Sequence, residues 1–383
     1  MEQESFICSR CGNNDPRYIG YNKGKPYCRR CISFLGEKAP PSCVQPSKAP
    51  LILHYPLSEE QKKISKKIQD NYLMGIDTLV YAVCGAGKTE LSYGVIALAL
   101  RKGKQVGFAL PRRDVVVELY WRIKDAFPEN KVVAVYGGHT HQLTGDIIIL
   151  TTHQLYRYPH YFDLLVMDEI DAFPFKGNEV LISMYKASKK GPCVMMSATP
   201  SSSIVSEFKK PGHDIVELRT RFHKKPIPVP RFVCVPSFLQ KLFLVKKLLE
   251  FKKSKKPCFV FVSTIEKCKD IFYFLRIFQP NGNYVSSVRN HREEIINHFK
   301  KGKYDYLVTT SVLERGVTIK NLQVIVFESD QEAIYSSSTL IQIAGRAGRK
   351  MDAPTGEVIF LANRINKEME KARNEIRFCN TFL

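Results

Sequence analysis

The sequence predicts an α/β protein with two parallel-sheet domains in tandem, preceded by a small zinc-binding module. Short apolar runs alternate with helical segments in two series, which is the rhythm of consecutive βαβ units. A proline-rich stretch at residues 226–230 separates the two series, and two Cys-x-x-Cys sequences precede the first. The fold class thus follows from a repeated strand–helix pattern, one interruption and one cysteine cluster.

The composition is that of a folded protein with more than one core. The chain has 383 residues, of which 44% are hydrophobic. Its apolar stretches are shorter than the roughly 20 residues that span a bilayer, and its first residues are acidic rather than apolar. We therefore expect a cytoplasmic protein, in which the 11 cysteines favour metal binding or free thiols over disulfides.

The net charge of +21 is concentrated in the second half of the chain. Residues 221–383 carry 29 Lys and Arg against 15 Asp and Glu, a net +14, whereas residues 51–220 carry 21 against 18. Such a basic half suits a polyanionic partner, which it would attract through phosphate contacts and counterion release. A generally basic, soluble surface is the alternative.

Composition also predicts the domain boundaries. Residues 1–37 hold the cysteine cluster, and residues 38–50, with four prolines, form a linker. The first domain covers residues 51–220, an inter-domain connection covers residues 221–240, and the second domain covers residues 241–383.

The strands of both domains are predicted from their apolar runs, and the first helix from its start. Ser58 has the position of an N-cap before the helix that begins the first domain. The strands are predicted at residues 78–81, 106–110, 132–136, 147–151, 164–167, 194–197, 258–263, 306–309, 324–328 and 357–361.

Four cysteines near the N-terminus have the spacing of a structural metal site. Cys8 and Cys11 form one Cys-x-x-Cys pair, and Cys28 and Cys31 form the second after sixteen residues. Four thiolates at tetrahedral reach suit Zn²⁺ and leave no open position for catalysis. Redox disulfides or unliganded cysteines are the alternatives.

The loop after the strand at 78–81 has the residues of a phosphate-binding loop. Glycines let the backbone wrap closely around an anion, and Lys88 would reach the β- and γ-phosphates. The Thr89 hydroxyl would ligate Mg²⁺. The general pattern has glycine where this chain has Ala82, and the alternative is a glycine-rich turn before an ordinary helix. The nucleotide-binding loop residues are Gly85, Ala86, Gly87, Lys88 and Thr89.

A pair of carboxylates follows the strand at 164–167. Asp168 stands at the carboxyl end of that strand, where it could hold Mg²⁺ beside the phosphate loop. Glu169 would then polarise the attacking water as a general base. Taken alone, the cluster could equally be a solvated turn.

Two arginines late in the chain are spaced by glycines within residues 342–349. Arg346 and Arg349 fit arginine fingers, whose guanidinium groups neutralise charge on the γ-phosphoryl oxygens. A basic, exposed helix start is the alternative.

Four of these segments occur in the order found in superfamily 2 helicases, which the chain resembles: motif I at 82–89, motif II at 168–171, motif III at 197–199 and motif VI at 342–349. The resemblance implies RecA-like domains, ATP and Mg²⁺ as cofactors, and ATP hydrolysis. It also implies that Gln61 binds the adenine edge, for which an exposed helix glutamine is the alternative, and that Gly316 contacts nucleotide.

The same resemblance implies that further loops contact nucleic acid. Small hydroxyls, glycine amides and arginines suit phosphate contacts, which fix position without reading sequence. Each loop is a weak signal alone, because such residues are common in turns. The residues implied in strand binding are Arg112, Arg113, Gly137, Gly138, Thr152, His153, Ser263, Thr264, Thr309 and Thr310.

Within the superfamily the chain is similar to the ComFA family of competence DNA-uptake helicases. The similarity is carried by the segments 168–175 and 221–230 and by the N-terminal four-cysteine cluster. It implies a translocase that draws transforming single-stranded DNA inward, a ComFC-type partner, and a peripheral position at the membrane uptake channel. A homo-oligomer is left open.

Two other functions compete with this interpretation. A PriA-like replication-restart helicase or an RNA helicase shares the motifs, but PriA-type chains carry a longer leading domain and cysteines inserted within the helicase domains. A zinc-dependent nucleic-acid-binding protein with a vestigial ATPase is the third possibility. The complete set of Lys88, Thr89, Asp168 and Glu169 with the late arginines disfavours it.

Overall fold

The computed structural model describes residues 6–34, 36–47, 50–83, 85–171, 174–175, 177–221, 225–286, 289, 291–310, 319–350 and 352–382. The chain divides into two compact units. One takes in the chain up to Ala82 and Gly87–Leu218, and the other takes in Arg219–Leu383 with the short segment Val83–Ala86. Each unit is built on a parallel sheet, as the sequence predicts.

The first unit begins with the cysteine module. A short 3₁₀ helix, Pro16–Tyr18, precedes a hairpin of β1 (Ile19–Asn22) and β2 (Lys25–Cys28). The helix α1 (Glu59–Leu73) starts at the predicted N-cap. The Ser58 hydroxyl accepts from the Gln61 amide, and the Gln61 side chain accepts from the Ser58 amide, a reciprocal capping box.

A seven-stranded sheet forms the core of this unit, in the order β5-β6-β4-β7-β8-β3-β9. All its described pairings are parallel, so the carboxyl ends of the strands share one edge. The strands are β3 (Asp77–Ala82), β4 (Val106–Leu110), β5 (Val132–Val135), β6 (Ile147–Thr151), β7 (Leu164–Asp168), β8 (Cys193–Ser197) and β9 (His213–Leu218).

Helices cover the sheet, and a short 3₁₀ helix, Thr152–Arg157, follows β6 directly. The core is formed by strand side chains such as Leu79, Ile148 and Met167, all buried. The four module cysteines pack into this same cluster of buried residues. The helices after α1 are α2 (Lys88–Arg101), α3 (Arg113–Ala126), α4 (Glu179–Ser188) and α5 (Ser202–Phe208).

The second unit has a six-stranded sheet in the order β10-β15-β14-β11-β13-β12, again with parallel pairings. The strands are β10 (Arg231–Cys234), β11 (Cys258–Phe261), β12 (Gly282–Val285), β13 (Tyr306–Thr309), β14 (Gln323–Val326) and β15 (Val358–Ala362). The helices are α6 (Ser237–Lys253), α7 (Ile265–Phe278), α8 (Arg292–Lys300), α9 (Ser337–Ala344) and α10 (Lys367–Asn380).

Within the two parallel sheets, the strands that the sequence did not predict all lie at sheet edges. β9 ends the first sheet, and β10 and β12 end the second. These three strands are only partly buried, so they lack the continuous apolar run that marks a buried parallel strand. β10 lies within residues 221–240, which the sequence analysis assigned to a connection, and it pairs with β15.

Candidate functional site

The phosphate-loop residues connect β3 to α2. Gly85 and Gly87 have φ angles of +83° and +77°, a left-handed conformation that glycine adopts without strain. Gly87 is the N-cap of α2, so the unpaired N–H groups of the first helical turn point toward the loop. Ala82 is the last residue of β3 and has no such φ, so the departure from glycine at this position causes no strain.

The Lys88 side chain folds back onto the backbone that precedes the loop. The Lys88 ammonium donates to the Ala82 carbonyl at 3.3 Å, which holds the positive charge beside the end of β3. Thr89 is buried in the first turn of α2. Gln61 is also buried rather than exposed, and a Cβ added at Gly87 would lie 2.7 Å from the Gln61 Nε2 atom. Glycine at position 87 therefore lets the predicted adenine-binding residue lie against the loop.

The two carboxylates lie at the end of β7, on the same sheet edge. β7 and β3 flank β8, so the end of β3, which the phosphate loop follows, and the end of β7, which is Asp168, are two strand spacings apart, about 10 Å. The Asp168 carboxylate accepts from the Glu169 amide at 2.7 Å. Glu169 has a φ of +58°, a strained conformation for a residue with a side chain, and such strain is typical of functional positions.

Motif III is hydrogen-bonded to motif II. Asp171 is buried, and its carboxylate accepts from the hydroxyl of Ser197 at 3.0 Å and from that of Thr199 at 2.8 Å. Ser197 ends β8, the strand between β3 and β7. The sequence assigns 197–199 to motif III but gives no partner for Asp171. Two side-chain hydrogen bonds thus join motif II to motif III.

Three candidate strand-binding loops leave adjacent strands β5, β6 and β4 at this same edge. Arg112 caps α3 after β4, and Arg113 is exposed at the first helical position. Gly137 and Gly138 form the turn after β5, and a Cβ at either would meet no atom within 4 Å. Thr152, by contrast, is 1% exposed, so its hydroxyl lies below the surface.

His153 is held against the N-terminal module. Its ring stacks on Phe34 at 6.0 Å between centroids, and Phe34 also meets the edge of Tyr156. Burial lowers the pKa of His153, which favours the neutral imidazole. The buried Arg157 donates to the Glu37 carbonyl at 2.6 Å, and the Ala39 amide donates to the Arg157 carbonyl. The chain after the module therefore clamps the 3₁₀ helix that follows β6.

The four module cysteines fit a tetrahedral metal. All four are buried, and their sulfur atoms lie within 4.8 Å of one another. The Cys8–Cys31 and Cys11–Cys28 sulfur pairs are 3.4 and 3.7 Å apart, and tetrahedral zinc–thiolate bonds require about 3.8 Å. Burial raises the pKa of Cys8, but backbone N–H donors and neighbouring thiols outweigh burial and lower that pKa to about 7, whereas burial raises the pKa of Cys11 to about 11 and that of Cys31 further. This cluster could hold zinc.

In the second unit, both motif VI arginines lie just after α9. Arg346 is 3% exposed and Arg349 is half-buried. Gly348 has a φ of +63°, and a Cβ there would collide with the Pro354 carbonyl, so position 348 accepts only glycine. Two further predicted residues of this unit lie at element ends. Thr309 is buried at the end of β13, and Thr264 caps α7, while Gly316 lies outside the described residues.

Arg221 is a candidate functional residue to which the sequence alone assigned no role. It is 2% exposed, and its guanidinium donates to the carbonyls of Gly345, Ala347 and Gly348 at 2.8–3.2 Å. Those carbonyls belong to the segment that carries Arg346 and Arg349. A planar fork of donors suits this task better than an ammonium would. Arg221 therefore fixes the backbone of motif VI.

Comparison with known proteins agrees with the two-sheet fold. Residues 59–208 match the DEAD/DEAH box helicase family, and residues 240–351 match the helicase conserved C-terminal domain. S. cerevisiae Dbp5 bound to RNA and ADP BeF3 is similar in structure, with a TM-score of 0.61, 16% identity, and coverage of 85% of this chain and 92% of that one. RecG bound to a three-way DNA junction has a TM-score of 0.59 and 19% identity over 86% of this chain and 45% of that one.

The fold and the helicase domains define a superfamily 2 helicase, an enzyme that hydrolyses ATP with Mg²⁺ and binds nucleic acid. Competence protein ComFA of Bacillus subtilis is 34% identical over 99% of this chain and 87% of its own length. Competence protein ComFA of Streptococcus pneumoniae is 32% identical over 99% and 91%. The chain belongs to the ComFA family. The prediction of an ATP-dependent DNA helicase or translocase in competence is confirmed, and the replication-restart and RNA-helicase alternatives are not favoured.

Among the described residues, none of the helices is both long enough and apolar enough to cross a membrane.

The Arg221 contacts lead to a kinetic prediction. Arg221→Lys keeps the charge but loses the fork that holds the three carbonyls, so the motif VI arginines should shift. Misplacement by about 1 Å can cost about 100-fold in rate. We expect kcat for ATP to fall at least tenfold, with KM for ATP changed less than about threefold. Steady-state ATP hydrolysis measures both values.

The matched control is Arg276→Lys, which changes an exposed arginine of α7 in the same unit. It should leave kcat unchanged. Circular dichroism and a thermal unfolding curve establish that the Arg221 variant is folded. A folded Arg221→Lys protein with wild-type kcat would show that the carbonyl contacts do not position the arginines.

Proposed function

We propose that this chain is a single-stranded-DNA-dependent ATPase that moves along the strand during the uptake of transforming DNA. One observation carries the proposal. The phosphate loop, the Asp168–Glu169 pair and three candidate strand-binding loops lie at one edge of one parallel sheet. Chemistry at the nucleotide and contact with the strand would therefore depend on the same rigid element.

The proposed roles at the nucleotide follow from the residue chemistry. Lys88 and the loop amides bind phosphates, and Thr89 and Asp168 would hold the Mg²⁺ ion, which supplies charge neutralisation when it is bound. Glu169 orients and deprotonates the attacking water. Arg346 and Arg349 neutralise charge on the γ-phosphoryl oxygens.

The strand would be held mainly through its phosphates. Arg113 and the open Gly137–Gly138 turn offer a guanidinium and backbone N–H groups at the surface. The net charge of +14 in residues 221–383 supplies long-range attraction. Thr309 and Thr152 are buried, so we give them a supporting role for their loops rather than direct contact. Affinity should consequently fall steeply as salt is raised.

A zinc ion held by the four cysteines would stabilise the N-terminal module. A module of about 30 residues has too small a core to fold alone, so metal binding would supply folding free energy. Because Phe34 stacks on His153, a folded module would also support a candidate strand-binding loop.

The partners that we propose come from the family. They are single-stranded DNA, a ComFC-type competence protein and the membrane DNA-uptake channel, with the chain lying peripherally at the inner face of the membrane. Assembly into a homo-oligomer is a further proposal, which sedimentation with and without DNA would test.

The nucleotide roles predict separable defects. Lys88→Ala should lower ATP turnover below detection and leave DNA affinity within about threefold, because it removes a phosphate contact only. Glu169→Gln should retain ATP and slow hydrolysis by about 10²–10⁴-fold, because it removes the base but not the binding loop. ATP turnover is measured with single-stranded DNA, duplex DNA and RNA in parallel, and DNA affinity by fluorescence anisotropy.

Lys102→Ala, at an exposed position after α2, is the matched control and should behave as wild type. The strongest stimulation should come from single-stranded DNA. Stronger stimulation by RNA would overturn the proposed substrate, and near-normal turnover by Glu169→Gln would remove Glu169 as the base.

The cysteine cluster predicts one zinc per chain. Cys28→Ser removes one of four ligands, so the zinc content after dialysis should drop by at least tenfold. Elemental analysis of the purified protein measures the metal. Cys43→Ser is the control, since Cys43 is exposed and outside the cluster, and it should keep full occupancy. Equal metal content in the two variants would contradict the site.

A further inference from the structure

A short hairpin after β5 places two aromatic rings face to face. Tyr136 and His139 exchange two backbone hydrogen bonds, at 2.8 and 3.2 Å, across the Gly137–Gly138 turn. Of the two central residues only Gly138 has a positive φ, +80°, which is the requirement of a type II turn. Cross-strand neighbours point to the same face, so the Tyr136 and His139 rings stack with 4.8 Å between centroids and 14° between planes.

Two more side chains extend the pair into a row. The Arg113 guanidinium lies over the Tyr136 ring at 4.9 Å, and the His141 ring meets the His139 ring at 4.3 Å and 81°. Arg113 and His141, the two ends of the row, are exposed, whereas Tyr136 and His139 are half-buried. The row thus ends at the surface in a planar cation on one side and an aromatic ring on the other. We name these four residues the stacking row.

The location of the row limits what it could bind. Arg113 begins α3 directly beyond β4, and the hairpin leaves β5, so the row lies at the sheet edge that also carries the phosphate loop. The Gly137–Gly138 turn beside it is exposed and has open space around it, so a ligand can approach its backbone, and Arg112 is adjacent in sequence to Arg113. A ligand here would have an anionic backbone and a flat ring. An unpaired nucleotide of a single strand has both.

We propose that the stacking row is a platform for an unpaired base of single-stranded DNA, with the base stacked on His141. The proposal rests on the proposed function, since it assumes that the strand passes this edge. Aromatic rings and guanidinium planes bind unstacked bases without regard to sequence. Bases in a duplex are already stacked and cannot use such a platform. The row would therefore distinguish single strands from duplex, which phosphate contacts alone do poorly.

The test separates base contacts from backbone contacts. The full-length protein is titrated with an oligothymidylate and with an abasic deoxyribose-phosphate oligomer of the same length, at one salt concentration. The wild type should bind the oligothymidylate at least about tenfold more tightly, since stacking on one aromatic side chain contributes a factor of this order. His141→Ala should lose most of that difference while its affinity for the abasic oligomer stays the same.

Two further variants sharpen the result. His141→Phe restores a flat ring and should recover the preference for the oligothymidylate. Trp121→Ala removes a different exposed aromatic ring, on α3, and should leave the preference unchanged. If the wild type binds both oligomers equally, or if His141→Ala keeps the full preference, the platform is overturned.

The same titrations tell the two proposals apart. Equal binding of the two oligomers, together with stimulation of ATP hydrolysis by both, would leave the strand-dependent ATPase intact and remove only the platform. Failure of every single-stranded DNA to bind or to stimulate hydrolysis would remove the proposed function itself.

Discussion

Parallel pairing of the first sheet is the constraint on which the chemistry of this protein depends. When every strand runs the same way, every carboxyl end emerges at one edge, however far apart the strands lie in sequence. Lys88 and Asp168 are 80 residues apart in sequence, yet Lys88 follows β3 and Asp168 ends β7, and these two strands flank a single strand, β8. Backbone hydrogen bonds therefore fix the spacing of the two strand ends beyond which the proposed nucleotide-binding and metal-binding groups lie.

Side-chain hydrogen bonds then tie the segments at this edge to one another. Asp171 receives hydroxyl donors from both Ser197 and Thr199, and the reciprocal cap at Ser58 orients the helix that carries Gln61 beside Gly87. In the second unit, Arg221 does the same for motif VI by donating to backbone carbonyls. Each of these hydrogen bonds fixes a residue or a backbone segment that lies in or beside a predicted motif. Such support is the usual requirement for accurate placement of reacting groups.

The sequence predicted the central strands and the order of the motifs, because buried parallel strands are continuous apolar runs followed by glycine or acidic residues. It did not predict β9, β10 or β12, whose partial burial leaves no such run. It also could not assign a partner to Arg221, since a contact across 124 residues leaves no local pattern. The stacking row was recoverable in principle, because Gly-Gly between apolar or aromatic residues is a hairpin signal.

The clamp between the N-terminal module and the 3₁₀ helix after β6 has a consequence for shortened forms of the protein. Phe34, Glu37 and Ala39 contact His153, Tyr156 and Arg157, so removal of the leading segment would strip the cover from an aromatic ring and leave a deeply placed guanidinium without its carbonyl acceptor. A chain that lacks residues 1–49 would then expose apolar surface of the first unit to solvent and tend to aggregate. The leading segment is thus part of the packing of the first unit, and natural or engineered removal of it would destabilise the helicase domain that it covers.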